Sequence, residues 1–399
     1  MGAVSAPGRP YRGVIAEVQP LGRDAMGRSL RLAAAGLAAA LLGGCAALGF
    51  GGSDEDPATT AELARERAAE LGDAQLVGQR LVAGFSGQSV PSEVAGRIRT
   101  GRLAGVVLFS ENFDGRSEAR RLINRLQSIP RPQALSDPLL VMIDQEGGQV
   151  KRLPGPPSLS AAEMGAQGPA TCRREGAKTG SMLRRTGVNV DLAPVLDVAR
   201  PGGAIDQEGR SFGDDPDAVV RCGGGFASAL ERHGAAPTAK HFPGLGAAQV
   251  NTDAAVQTID LSRSKLRRFD ERPFARFARG GAEDRLVMIS SAIYSAFSDR
   301  PAAFTQRLAS GELRGRLGFE GVSITDALET ASTDAFGGPT RSATLAAKAG
   351  TDLLLFVDIG SAKRAAKPLR RLLRSGDAAR QQFVGSVGRV LALRESFGD

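Results

Sequence analysis

Between residues 77 and 357 the chain repeats one pattern eight times: a short apolar run, then a longer amphipathic segment. The runs are Val77–Phe85, Val106–Phe109, Leu139–Ile143, Val188–Leu192, Ala236–Lys240, Leu286–Ser290, Val322–Thr325 and Leu353–Val357. Runs that stay apolar on successive residues suit parallel strands covered on both faces. Helical periodicity over Ser117–Leu126, Ala170–Arg185, Pro216–Arg232, Leu261–Arg279, Phe304–Leu313, Thr340–Ala349 and Ser361–Leu373 supplies the crossovers. Eight alternations without interruption predict an α/β protein built as a single (β/α)8 TIM barrel over residues 76–399, rather than two open-sheet domains. Gln381–Glu395 reads as a closing helix.

The 399 residues include 42% hydrophobic residues and three cysteines, which excludes a disordered, collagen-like or disulfide-framework chain. A formal charge of +8 comes without a basic stripe interleaved with aromatics, so no nucleic-acid partner is expected. Residues 28–45 read RSLRLAAAGLAAALLGGC: two arginines, an apolar run from Leu32 to Leu42, then small residues ending in Cys45. This is the layout of a signal peptide, and the run is shorter than the roughly 20 residues that a spanning helix needs. LLGGC resembles the lipobox of bacterial lipoproteins, which implies lipidation of Cys45. Residues 1–45 are therefore expected to be a leader, with residues 1–25 lying upstream of a second start at Met26, and 46–75 a polar tether with a lead-in helix. The expected location is outside the cell, as a lipoprotein on the outer face of the membrane or as a secreted protein. Contact with the membrane is expected through the lipid anchor alone, and the protein is expected to be a monomer. Cys172 and Cys222 could pair or remain buried thiols.

Polar residues gather where the strands end: Asp144, Gln145 and Glu146, then Asp191 and Asp197, Lys240 and His241, Ser291, and Asp326. In barrel enzymes that edge carries the active site. Asp326 at the tip of the seventh strand is placed to act as a carboxylate nucleophile, or, more blandly, to cap a following helix. Asp144 follows LLVMI and should open into the barrel mouth. His233 lies at a helix end before Gly234 and reads as a capping residue. The acids and His241 lack a compact metal-ligand spacing, and no glycine motif fits a nucleotide fingerprint, so no metal or cofactor is expected.

DQEGGQVKR (144–152), NVDLAPVLDV (189–198), RSFGDDP (210–216), KHFPGLG (240–246) and SITDALE (323–329) together resemble the N-terminal barrel of glycoside hydrolase family 3, specifically its single-domain bacterial β-N-acetylglucosaminidases. The resemblance covers roughly Leu76 to Leu393. It implies Asp326 as the nucleophile of a retaining hydrolysis and Asp144, Arg152, Arg210, Lys240 and His241 as the groups that hold the sugar. It further implies release of terminal β-linked N-acetylglucosamine from peptidoglycan fragments or related glycans. One loop departs from the pattern. Where these enzymes carry Asp-Ser-His with a general acid/base histidine, this chain reads Asn251-Thr252-Asp253, and Leu245 replaces the histidine that closes KHFPGHG. Asp253 is then the expected acid/base, given a raised pKa. Two other readings stay open: a surface glycan-binding lipoprotein without turnover, and a β-glucosidase-type specificity.

Overall fold

The computed structural model describes residues 59–279 and 283–398; Cys45, the leader and the tether up to residue 58 lie outside the described residues. A compact unit spans Asp56–Asp399. Its eight parallel strands are β1 (Leu81–Ala83), β2 (Gly105–Val107), β3 (Leu140–Ile143), β4 (Val190–Asp191), β5 (Ala236–Phe242), β6 (Leu286–Ile289), β7 (Val322–Thr325) and β8 (Leu354–Phe356). Neighbours in the chain are neighbours in the sheet. β8 returns to β1 with Val82 opposite Leu355, and a bridge from Ile324 to Leu353 joins β7 to the start of β8, which closes the barrel.

Side chains alternate across this sheet, as its pleat requires. Val82, Val107, Leu140, Met142, Val190 and Met288 fill the barrel interior. Leu81, Val106, Val141, Ile143, Val287 and Ile289 face the helices. Both sets must be apolar, and this is why the runs show no polar alternation.

The main helices are α1 (Thr60–Ala69), α2 (Asp73–Gly78), α3 (Ser92–Arg99), α4 (Arg116–Gln127), α5 (Pro169–Thr186), α6 (Pro216–Arg232), α7 (Gly338–Ala349), α8 (Ile359–Leu373) and α9 (Asp377–Glu395). Local chemistry sets their ends. Asp215 caps α6 by accepting from the backbone N–H groups of Asp217 and Ala218, with Pro216 in the first turn. Gly187 ends α5 at φ 93°, a left-handed conformation that suits glycine. His233 ends α6, its Nδ1 2.8 Å from the Ala229 carbonyl, the capping role expected of it. α5 and α6 approach closely because Gly176 presents no Cβ, which would sit 2.5 Å from the Phe226 carbonyl oxygen. There Cys172 and Cys222 form a disulfide with their Cα atoms 5.3 Å apart.

Three segments differ from the sequence expectation. The first run, Val77–Phe85, is not all strand: Val77 and Gly78 finish α2, and β1 starts at Leu81. A buried helix end and a buried strand look alike in an apolar run this short. Leu261–Arg279 is not one helix. It comprises a turn at Arg263–Lys265, a π-helical stretch Leu266–Asp270 and a short helix Arg272–Phe277 that restarts at Pro273. Phe304–Leu313 is replaced by a turn at Ala302–Phe304 and a π-helical segment Arg307–Arg316.

α9 lies across the barrel base, where strands begin. Its Arg394 side chain donates to the carbonyls of Leu135, Asp137 and Pro138, just ahead of β3. Arg389 pairs at 2.7 Å with buried Asp352, just ahead of β8. α1, the lead-in helix, packs along α9, so the described chain starts at this base.

Candidate active site

At the opposite end, the mouth holds a cavity of about 450 Å3. Asp326, Asp253, Asp144, Arg152, Arg210, Lys240 and His241 all line it. The elements explain how they converge. Asp144 and Asp326 directly follow β3 and β7. A tight hairpin, Gln145–Gly147 against Val150–Lys151, turns the chain so that Arg152 comes back over Asp144. Lys240 and His241 are successive residues near the end of β5 and would normally face opposite sides. A register shift between Ala239 and Phe242 lets both reach the cavity.

Lys240 is the hub. Its Nζ lies 2.8 Å from Asp144 Oδ1 and 2.6 Å from Glu146 Oε1. Arg152 reaches Asp144 at 3.4 Å. Arg210 grips Glu146 with two bonds of 2.8 and 2.9 Å and Glu208 with one of 3.0 Å. Burial alone would push the Asp144 carboxyl up, but Lys240 and Arg152 outweigh it and hold the pKa below its ordinary value. Glu146 behaves likewise: burial opposes ionisation, yet Lys240 and Arg210 bring it down to about 2. Burial also works against the Lys240 ammonium, and Asp144 and Glu146 reverse that and raise its pKa. The cluster therefore stays fully ionised at neutral pH, a rigid set of donors and acceptors suited to hydroxyl groups. Behind it lies Asp191, whose pKa burial pushes well above the ordinary value. One Asp191 oxygen accepts from the Gln145 N–H at 3.0 Å, and the other has no partner.

His241 is held by Asp197. Its Nδ1 lies 2.7 Å from Asp197 Oδ2, while Oδ1 accepts from the backbone N–H groups of His241 and Leu245 at 3.0 and 2.6 Å. The carboxylate assigns the proton to Nδ1 and leaves Nε2 as the ring's other hydrogen-bonding atom at the cavity.

Asp326 is no helix cap. Its Oδ1 accepts from the next N–H, that of Ala327, and the following short helix, Ala331–Asp334, is capped by Thr330. Asp253 sits on the loop across the mouth. Asn251 ties that loop to Glu208 at 3.3 Å, and the Asp253 carbonyl accepts from the Ala331 N–H at 3.2 Å. The Thr252 carbonyl accepts from the Ser332 hydroxyl. Asp253 is exposed as a residue, yet it lines the cavity. Burial first, and the Asp326 charge second, push its carboxyl up to about 6 against the opposing pull of His241, Arg210 and Lys240. Water reaching its outer side screens part of that repulsion without reversing it.

Glu146 and Asp197 stand out in the sequence only as polar residues at strand ends, with no role assigned, and Glu208 does not stand out at all. Their roles as partners of Arg210, Lys240 and His241 depend on contacts between distant parts of the chain. Among the described residues no cluster of three or more His, Cys, Asp or Glu side chains is arranged to hold a metal.

A barrel mouth with two carboxylates on one cleft, floored by an ionised network suited to hydroxyls, is an arrangement that glycoside hydrolysis can use. The family model for the glycosyl hydrolase family 3 N-terminal domain matches residues 65–393. The chain belongs to glycoside hydrolase family 3. It is 36% identical over 327 residues to an uncharacterized secreted glycosyl hydrolase of Arthroderma benhamiae, covering 79% of this chain and 92% of that protein. It is 34% identical to a β-hexosaminidase of Alkalilimnicola ehrlichii, covering 69% and 79%. Among solved structures, a family 3 β-N-acetylglucosaminidase from Paenibacillus superposes with a TM-score of 0.77 at 31% identity, covering 82% of this chain and 64% of that longer one. A β-N-acetylhexosaminidase from Beutenbergia cavernae gives 0.75 at 31% identity, covering 82% and 99%.

Proposed function

We propose that this glycoside hydrolase is a retaining β-N-acetylhexosaminidase that removes terminal β-linked N-acetylglucosamine, working outside the cell as a lipoprotein anchored through Cys45. Peptidoglycan fragments are the substrate class that suits that location. Asp326 attacks the anomeric carbon, the glycosidic C–O bond breaks, and Asp253 gives its proton to the departing oxygen. Asp253 then takes a proton from water, whose oxygen displaces Asp326 and returns the sugar with its β configuration. Asp144, Arg152, Arg210, Lys240 and His241 hold the sugar hydroxyls through both steps. The relatives' names support the sugar, and the secreted relative and the leader sequence support export. The observation that carries the mechanism is that Asp253 and Asp326 line one cavity with the Asp144–Lys240–Arg210 network, and the raised Asp253 pKa suits an acid.

Turnover of an aryl β-N-acetylglucosaminide and of chitobiose tests the reading. Asp326→Ala is expected to be silent on both. Asp253→Ala should lose about 10²–10⁴-fold on chitobiose, whose leaving group needs a proton, and much less on the aryl substrate. Equal turnover of chitobiose by Asp253→Ala and the native chain would remove Asp253 from the mechanism. A silent native chain whose melting temperature still rises with N-acetylglucosamine would make it a binding protein.

A further inference from the structure

The chain carries its positive charge unevenly. α8 and its C-terminal cap present Lys363, Arg364, Lys367, Arg370, Arg371 and Arg374, all exposed, with no acidic residue between Ile359 and Arg374. Across a groove, α3 and the turn after it add Arg97, Arg99 and Arg102. Two carboxylates pair with these nine cations: Glu93 with Arg97 at 2.9 Å and Lys363 at 3.2 Å, and Asp73 with Arg374 at 2.6 Å. With Asp358, which caps α8 beside Arg364, the face has six positive charges in excess. The groove holds a cleft of about 240 Å3 whose lining includes Arg97, Arg102, Lys363, Lys367 and Arg370 and no carboxylate.

The position of this face matters as much as its charge. The cleft is floored by Gly78 of α2 and Leu81 at the start of β1, and Arg102 precedes β2, so it opens toward the barrel base. The described chain also begins at the base, on α1. From Cys45 to Thr59 the chain spans at most about 50 Å when fully extended, so whatever surface holds Cys45 is within reach of this face.

We propose that the α3–α8 face docks on the anionic phospholipid surface of the membrane, with headgroup phosphates entering the cleft, so that the barrel lies on this side and its mouth is left uncovered. The inference rests on the export reading for its setting, but not on lipidation of Cys45. A lipid anchor fixes distance and leaves orientation free; a basic face at the tethered end fixes orientation as well.

The test uses the full chain with Cys45→Ser, so that a failure of lipidation cannot be confused with a failure of docking. Co-sedimentation is compared with vesicles of phosphatidylcholine alone and of phosphatidylcholine mixed with phosphatidylglycerol. The leader contributes to both, and its own arginines add to the anionic preference, so the two triple variants decide what the α3–α8 face contributes. Binding to the anionic vesicles should be at least about tenfold tighter, and the preference should vanish in 1 M salt, where the screening length is about 3 Å. Lys363→Glu with Lys367→Glu and Arg370→Glu should weaken anionic binding by about a hundredfold. Arg173→Glu with Arg232→Glu and Arg268→Glu makes the same charge change at exposed positions on other helices and should keep most of the binding. Both triple variants should retain the native melting temperature and aryl-glycosidase rate. Equal binding to the two vesicle types, or equal loss in the two triple variants, overturns the proposal. So does a preference for a soluble polyanion such as RNA over the anionic vesicles.

Discussion

At the residue scale, the proposed role of Asp253 as the acid makes a prediction about pH. An acid with a pKa of about 6 delivers its proton only while protonated, so the chitobiose rate should fall about tenfold per pH unit above 6. A pH profile measured with Asp253→Ala should lack that limb. The same carboxyl bears on stability. Its folded pKa lies above the ordinary 3.8, so the unfolded chain gives up the proton more readily. At pH 7 both states are ionised and only the folded one carries the cost of burial and, second, the repulsion from Asp326; well below pH 4 both are protonated and the penalty is gone. Asp253→Asn should therefore raise the melting temperature at pH 7, with the gain shrinking as pH falls from 6 to 4. An equal gain at pH 4 would point to some other effect of the substitution.

At the scale of elements, the hairpin after β3 and the bulged end of β5 form one charged unit. Glu146 lies on the hairpin, and its two partners, Arg210 and Lys240, come from elsewhere in the chain. Removing it leaves two buried cations short of counter-charge, so Glu146→Ala should lose about 3–5 kcal/mol of stability in denaturant titration. Glu146→Gln keeps the shape and should show its effect mainly as a raised KM. A Glu146→Ala variant with native stability would mean that the cluster is solvated and not structural. The limits of sequence reading follow the same division. Strands β2 to β8 were legible because both faces of each must be apolar. Asp144, Lys240, His241 and Asp326 were legible because they sit at strand ends. The pairs Glu146–Arg210 and Asp197–His241 span 64 and 44 residues, and nothing local in the chain announces them. The broken helix at 263–277 was missed for another reason: its apolar spacing is helical, but the Glu271 N–H bonds five residues back to Leu266 and Pro273 restarts the winding.

At the scale of the whole molecule, the two ends of the barrel differ. The mouth carries the candidate site, and the base carries the closing helix, the buried Asp352 cluster and the start of the described chain. The disulfide belongs to neither end. It joins α5 to α6 through two buried cysteines on the outer layer, far along the chain from both Asp253 and Asp326. A cross-link acts chiefly on the unfolded chain, by removing the entropy of a loop. With the cysteines 50 positions apart in the chain, that amounts to about 4 kcal/mol before any strain is counted. Cys172→Ala with Cys222→Ala should therefore lower the denaturant midpoint strongly while leaving kcat and KM at native values, since no cavity residue is touched. Alkylation of the unfolded native chain should find neither Cys172 nor Cys222 as a free thiol. Labelling of both, together with a double variant as stable as the native chain, would mean that the two cysteines pack as small apolar residues, held close by Gly176 and its neighbours, and that the glycine-lined contact between α5 and α6 suffices without a bond.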